Sequence, residues 1–150
     1  MVFDCVEPVP LTAVREAREI CTSFRIPPRQ FRRRTARGAV GCYSPKSDIV
    51  AVDPDKADAD GLGGDDGYYA ALVHELLHAT GHPRRLERTT TGDYSAAGYA
   101  LEEGTVATAM RIVLADIGFG AEAIEWHAPA RDAHPFDRRA AIGAADWLLR

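Results

Sequence analysis

Between Tyr68 and Thr80 the apolar residues Leu72, Val73, Leu76 and Leu77 recur three and four apart, the spacing of one buried helix face. This run predicts a helix ended by Gly81, a residue suited to the left-handed position just past a helix C-terminus. The same period occurs upstream, where Val14, Ala17, Ile20, Cys21 and Phe24 follow Thr12, a residue able to cap a first turn, and precede the stop at Ile26, Pro27 and Pro28. Two more helices are predicted downstream. One runs from about Tyr99 to Ile117 and stops at Gly118, Phe119 and Gly120; the other runs from about Pro135 to Leu149. A short segment near Ile124 to His127 lies between them.

The pattern changes in "GAVGCYSPKSDIVAVDP", where two short runs of strand-favouring residues flank Ser44, Pro45, Lys46 and Ser47. Turn formers between such runs predict a β-hairpin or two consecutive strands. Residues 55–67 are acidic, glycine-rich and aperiodic, which predicts a surface loop; the ligand spacing and closing glutamate of an EF-hand are missing. The order helix, strands, helices predicts an α+β fold, with a small sheet packed against the 68–80 helix in a single domain over residues 1–150.

With 46% hydrophobic and 27% charged residues, the chain has the composition of a globular domain able to bury a core. Its net charge of -4 argues against binding nucleic acid through overall charge. No stretch reaches the apolar length of a membrane span, and the opening residues lack the basic and apolar regions of a signal peptide, so a cytoplasmic location without membrane contact is expected. Cys5, Cys21 and Cys42 are widely spaced, odd in number and form no C-x-x-C pair; they read as reduced structural thiols.

Candidate chemistry sits inside the helix of residues 68–80. His74 and His78 are four apart and project from the same face, so two imidazoles can be directed at one metal ion. Glu75 points beside that ion and can take a proton from an acidified water and pass it to a leaving amine. This is the H-E-x-x-H arrangement of zinc metallopeptidases. Catalytic zinc takes three protein ligands and keeps a position open. The extended H-E-x-x-H-x-x-G-x-x-H pattern would need histidine where Arg84 stands, and His82 is misplaced for it, reading instead as a surface or supporting residue. The remaining candidates are Glu102 and Glu103 on the next helix.

The stretch "YYAALVHELLHATGHPRRL", preceded by "CYSPKSDIVAVDP" and followed by "GYALEEGTVATAM" and "AAIGAADWLL", resembles the zincin-like metallopeptidase domain of the ArdC anti-restriction family. The resemblance covers the chain from about Gly38 onward and implies a gluzincin-type zinc metallopeptidase, with Mn2+ or another divalent ion as a substitute. It implies that His74 and His78 are metal ligands, that Glu75 is the catalytic glutamate and that the acidic pair supplies the third ligand. The implied partner is a protein or peptide substrate, such as a host defence protein. There are two departures. The family's N-terminal single-stranded-DNA-binding domain is expected to be absent, and Ala107 and Gly104 stand where the family's "EELxAE" pattern has an acid and a leucine, so that a supporting carboxylate is expected to be missing.

Helix geometry chooses between the two glutamates. At about 100° per residue, with Glu102 at zero, the apolar residues Tyr99, Val106, Met110, Val113, Leu114 and Ile117 cluster at roughly 60–70°. Glu103 falls inside that stripe, where a metal would offset its buried charge, and Glu102 at its watered margin. Glu103 is therefore expected to be the ligand, and Glu102 to leave metal affinity almost unchanged.

Arg25, Arg29, Arg32, Arg33, Arg34 and Arg37 place six arginines within thirteen residues, a third of the 18 basic residues in the chain. They form a solvated face, a weak contact for nucleic acid or a contact for an acidic protein. Besides a peptidase, two readings remain: a binding module stapled by a structural metal, and a DNA-associated protease of the SprT type. Glu75 favours an enzyme, because a structural metal needs no base beside it.

Overall fold

Proline opens the first helix. The carbonyl of Pro10 accepts the amides of Ala13 and Val14, so α1 spans Leu11–Thr22 and Thr12 lies within its first turn instead of capping it. The computed structural model describes residues 9–22, 29–32, 40–57, 65–128 and 135–150. Ala13, Ala17 and Cys21 form the buried face of α1 with Ile20 half-buried beside them, while Phe24 lies outside the described residues.

Three short strands follow: β1 (Arg29–Arg32), β2 (Gly41–Ser44) and β3 (Ile49–Val52), in the order β1-β3-β2. The expected hairpin is β2 and β3, antiparallel, with Gly41 opposite Val52 and Ser44 opposite Ile49. Its turn puts Asp48 at φ +52°, a left-handed conformation that aspartate tolerates. The Asp48 carboxylate then accepts the Tyr43 hydroxyl at 2.8 Å and pairs with Arg85. Val50, Ala51 and Val52 are all buried, as a central strand covered on both faces requires. β1 pairs parallel with β3 and was not expected, because "RQFR" has no strand-like apolar alternation.

The expected loop over 55–67 is helical at both ends. A short turn, α2 (Pro54–Ala57), is capped by buried Asp53, which accepts the amide of Asp55 at 3.0 Å, and α3 (Asp65–Ala79) begins three residues before Tyr68. Leu72, Val73, Leu76 and Leu77 are buried as predicted, and α3 packs on α1, β2 and β3. It also packs on α4 (Ala96–Asp116), whose N-cap Ser95 accepts the amide of Gly98 at 3.1 Å. The stop after α4 uses Gly118 at φ +100°. Gly81 plays no such part. Its φ is not positive, and it is glycine because a Cβ there would meet Thr91 Oγ1 at 1.8 Å.

α5 (Ala121–His127) and α6 (Arg138–Leu149) complete the chain. Asp137 caps α6 by accepting the amide of Ala140 at 2.9 Å, and the small face of Ala141, Ala144 and Ala145 lies close against α4. The architecture is α+β, with α3 between the sheet and α4. Among the described residues no helix is long and apolar enough to cross a membrane.

Candidate metal centre

Because α3 is central, its polar residues are held between the sheet and α4. The i, i+4 spacing brings His74 Nε2 and His78 Nε2 to 3.2 Å, with the rings edge to face at 4.9 Å. From α4, Glu103 places Oε1 3.1 Å from His78 Nε2 and Oε2 3.6 Å from His74 Nε2. One donor atom from each of the three residues lies within 4.8 Å of the others. Donors around a tetrahedral ion with bonds of about 2.0–2.1 Å stand roughly 3.3 Å apart, so the spacing suits an ion at their centre. Two imidazole nitrogens and one carboxylate oxygen are also the donor types that zinc takes.

Glu103 is thus the carboxylate that meets both imidazoles, but the expected burial of the pair is reversed. Glu102 is 5% exposed, whereas the Glu103 side chain retains 19% of its surface at the cleft. The expected Val106, Met110, Val113, Leu114 and Ile117 are buried, but the buried face of α4 also takes in Gly98, Glu102, Gly104, Thr105 and Ala109, and Tyr99, counted as part of the stripe from the sequence, is 54% exposed. Small and polar residues are buried there by close packing, a property their hydropathy does not carry.

Burial disfavours the Glu102 carboxylate, yet hydrogen bonds from His78 and Arg88, the Arg88 charge and the Thr90 hydroxyl hold it well below the usual carboxylate range. His78 shows the complementary balance: burial opposes its charge, but hydrogen bonds to Glu102 and Glu103 and the charges of Glu75 and Glu103 raise it to about 9. Glu103 is likewise lowered against its burial by hydrogen bonds and charge from His74 and His78.

Glu75 is buried beside the histidines, and burial raises its pKa against the charges of His74 and His78. Gly41 of β2 makes room for it, since a Cβ there would meet Glu75 Cγ at 2.9 Å and Oε1 at 3.1 Å. Glu75, His78 and Glu103 line a cleft shared with residues 41–43 of β2, with Tyr99 and with residues 90–94 of the loop after α3. Cys42 lies at this cleft and is exposed, contrary to the expectation of a structural thiol. Cys21 fits that expectation, its buried thiol being pushed up to about 12; Cys5 lies outside the described residues.

His82 stays in its own loop, accepting the Arg84 amide at Nδ1. Of the arginine group, only Arg29 and Arg32 fall on a described element, β1, and Arg25, Arg33, Arg34 and Arg37 lie outside the described residues. The sequence reading missed Gly41 and the Arg88, Thr90 and Thr91 partners of Glu102. The visible signal of those three partners was the polar run "ERTTTGDYS" between the two helices that carry the histidines and glutamates.

A family model described as zincin-like metallopeptidase matches residues 29–130. An uncharacterized protein of Sinorhizobium fredii, y4eC, is 32% identical over 115 residues, which cover 77% of this chain and 34% of that protein. Two proteins of Escherichia coli named DNA primase TraC are 38% identical over 52% of this chain and 35% identical over 57% of it. The chain spans about a third of the first relative and matches 7% and 6% of the two primases. No solved structure matches.

Proposed function

The chain belongs to the zincin-like metallopeptidase family, and from that premise we propose that it is a zinc-dependent endopeptidase whose metal is held by His74, His78 and Glu103 and whose general base is Glu75. The observation that carries this reading is the convergence of the three donor atoms within 4.8 Å, with Glu75 on the cleft that His78 and Glu103 also line. A zinc ion in such a site supplies Lewis acidity, polarising a carbonyl and acidifying a water. Glu75 would be the group to take a proton from such a water at its carboxylate and return it to a departing amine; burial raises its pKa, which favours its taking up that proton. Glu103 and Glu102 stay ionised and cannot share that task.

The substrate is an extended peptide. β2 is the end strand of the sheet, no described strand pairs with its outer edge, and residues 41–43 line the cleft. A peptide added to that edge forms main-chain hydrogen bonds beside Glu75 and His78. The ArdC-type resemblance supports a protein substrate, such as a host defence protein, and relatives named DNA primase support a setting in which DNA is handled. The six arginines of residues 25–37 would add a weak nucleic-acid contact.

The purified chain is expected to bind one zinc per molecule by native mass spectrometry, and His74→Ala to lose it. Glu75→Gln should retain the zinc while cleavage of unstructured protein substrates falls by a factor on the order of 10² or more. Undiminished cleavage by Glu75→Gln would remove Glu75 as the base. A biological activity that survives the change would favour the metal-stapled binding module.

A further inference from the structure

Two adjacent glutamates lie on α4 beside the same histidine, and only Glu103 reaches both imidazole Nε2 atoms. The contacts of its neighbour assign it a different task. Glu102 Oε1 accepts from Arg88 Nη2 at 2.8 Å and from the Thr91 hydroxyl at 2.9 Å, and lies 3.2 Å from His78 Nδ1. Its Oε2 accepts from the Thr90 hydroxyl at 2.7 Å and from Arg88 Nε at 3.2 Å. A carboxylate offers about four lone-pair positions, so five such contacts leave it none for a metal and no freedom to rotate.

We propose that Glu102, clamped by Arg88, Thr90 and Thr91, is a positioning residue that keeps the His78 proton on Nδ1 and so presents the Nε2 lone pair to a metal shared with His74 and Glu103. This rests on the metallopeptidase reading above and extends it to the loop after α3. An ionised carboxylate only accepts hydrogen bonds, so the ring atom facing it must donate, and a neutral imidazole that donates from Nδ1 has its lone pair on Nε2. The clamp is anchored in turn. Arg88 Nη1 donates to Thr80 Oγ1 at 2.6 Å and Nη2 to the carbonyl of Leu77 at 2.9 Å, at the C-terminal end of α3, where a cation is favoured. Thr90 and Thr91 also line the cleft, so one carboxylate ties the orientation of a metal ligand to the substrate-facing loop. A pair serving only to hold the loop would need Arg88 alone, without the contact to His78 Nδ1. Glu102 is also the carboxylate behind the ligands that Ala107 was expected to leave missing.

The test uses the full chain loaded with zinc. Long-range 1H–15N NMR is expected to show His78 protonated at Nδ1 and metal-bound at Nε2. In Glu102→Gln the charge behind the ring is lost, so zinc affinity, read by competition with a chromophoric chelator, should fall about 10–100-fold, and the Nδ1 proton resonance should move upfield. His78 bound through Nδ1, which the parent protein alone can reveal, would overturn the proposal, as would a folded Glu102→Gln chain with parental zinc affinity. A parent chain that takes up no zinc overturns the metallopeptidase reading itself, so the two failures are distinct.

Discussion

Glu75 and His78 give the metal-free protein a pH response opposite to that of the zinc-loaded one. His78 is raised from 6.5 to about 9, so the folded chain keeps a proton that the unfolded chain releases; that stabilisation is complete below about 6.5 and is lost as pH rises through 9. Glu75 is raised from 4.5 and acts in the same sense, losing its contribution as pH rises above that value. Glu102 and Glu103 are lowered, so their contribution is present above 4.5 and is lost as pH falls. With a chelator present, Tm is therefore expected to decline between pH 6.5 and 9, whereas zinc, which needs neutral imidazole, should stabilise more as pH rises. Thermal scans with and without zinc across that range check this; a constant difference between the two curves would contradict the assignment of His78. At this scale the sequence was informative where a motif fixes geometry. His74, Glu75 and His78 could be placed because one helix sets their spacing; Glu103, which lies beside both histidines, was chosen from a view of burial that the structure reverses. The partners of Glu102 could not be read, since Arg88, Thr90 and Thr91 reach it from a loop whose path no periodicity encodes.

Among the elements, α3, α4 and the loop between them form one unit, and Gly81 tests how tightly it is closed. A Cβ at this position would lie 1.8 Å from Thr91 Oγ1, 2.8 Å from Thr91 Cβ and 2.9 Å from Arg88 Cζ, so the loop must move as a body. Gly81→Ala is expected to destabilise the fold by about 1–3 kcal/mol, the usual range for overpacking, and to weaken zinc binding by drawing Thr91 and Arg88 away from Glu102. Urea unfolding and zinc titration of the variant measure both, and a change in stability without any change in zinc affinity would separate the loop from the metal centre. The "TGH" segment that carried the family resemblance thus contains a glycine needed for close approach, where the sequence had indicated a left-handed turn. The elements legible beforehand were those with strong local signals: the apolar stripe of α3, the turn formers between β2 and β3, and the Gly118 stop of α4. β1 was not legible, because its place beside β3 depends on a parallel pairing twenty residues away and not on its own composition.

At the scale of the molecule, the fold brings together groups separated in sequence by up to 62 residues: Gly41 of the sheet edge, the histidines and base of α3, and Glu103 of α4. In the proposed function the sheet edge would receive a peptide, α3 would supply two ligands and the base, α4 the third ligand, and the loop would fix their orientation. The order of these parts was visible in the sequence, since a strand hairpin, a histidine helix and a glutamate helix follow one another; their packing was not, since it depends on the buried small residues of α4 and α6. The claim that joins the parts is that one metal is held by His74, His78 and Glu103 with Glu75 left free. A crystal of the zinc-loaded chain measured on either side of the zinc absorption edge tests it most directly. The account predicts a single anomalous peak within about 2.0–2.2 Å of His74 Nε2, His78 Nε2 and a Glu103 oxygen, with Glu75 outside bonding distance. A peak bonded to Glu75, Glu102 or Cys42, or no peak between α3 and α4, would contradict it.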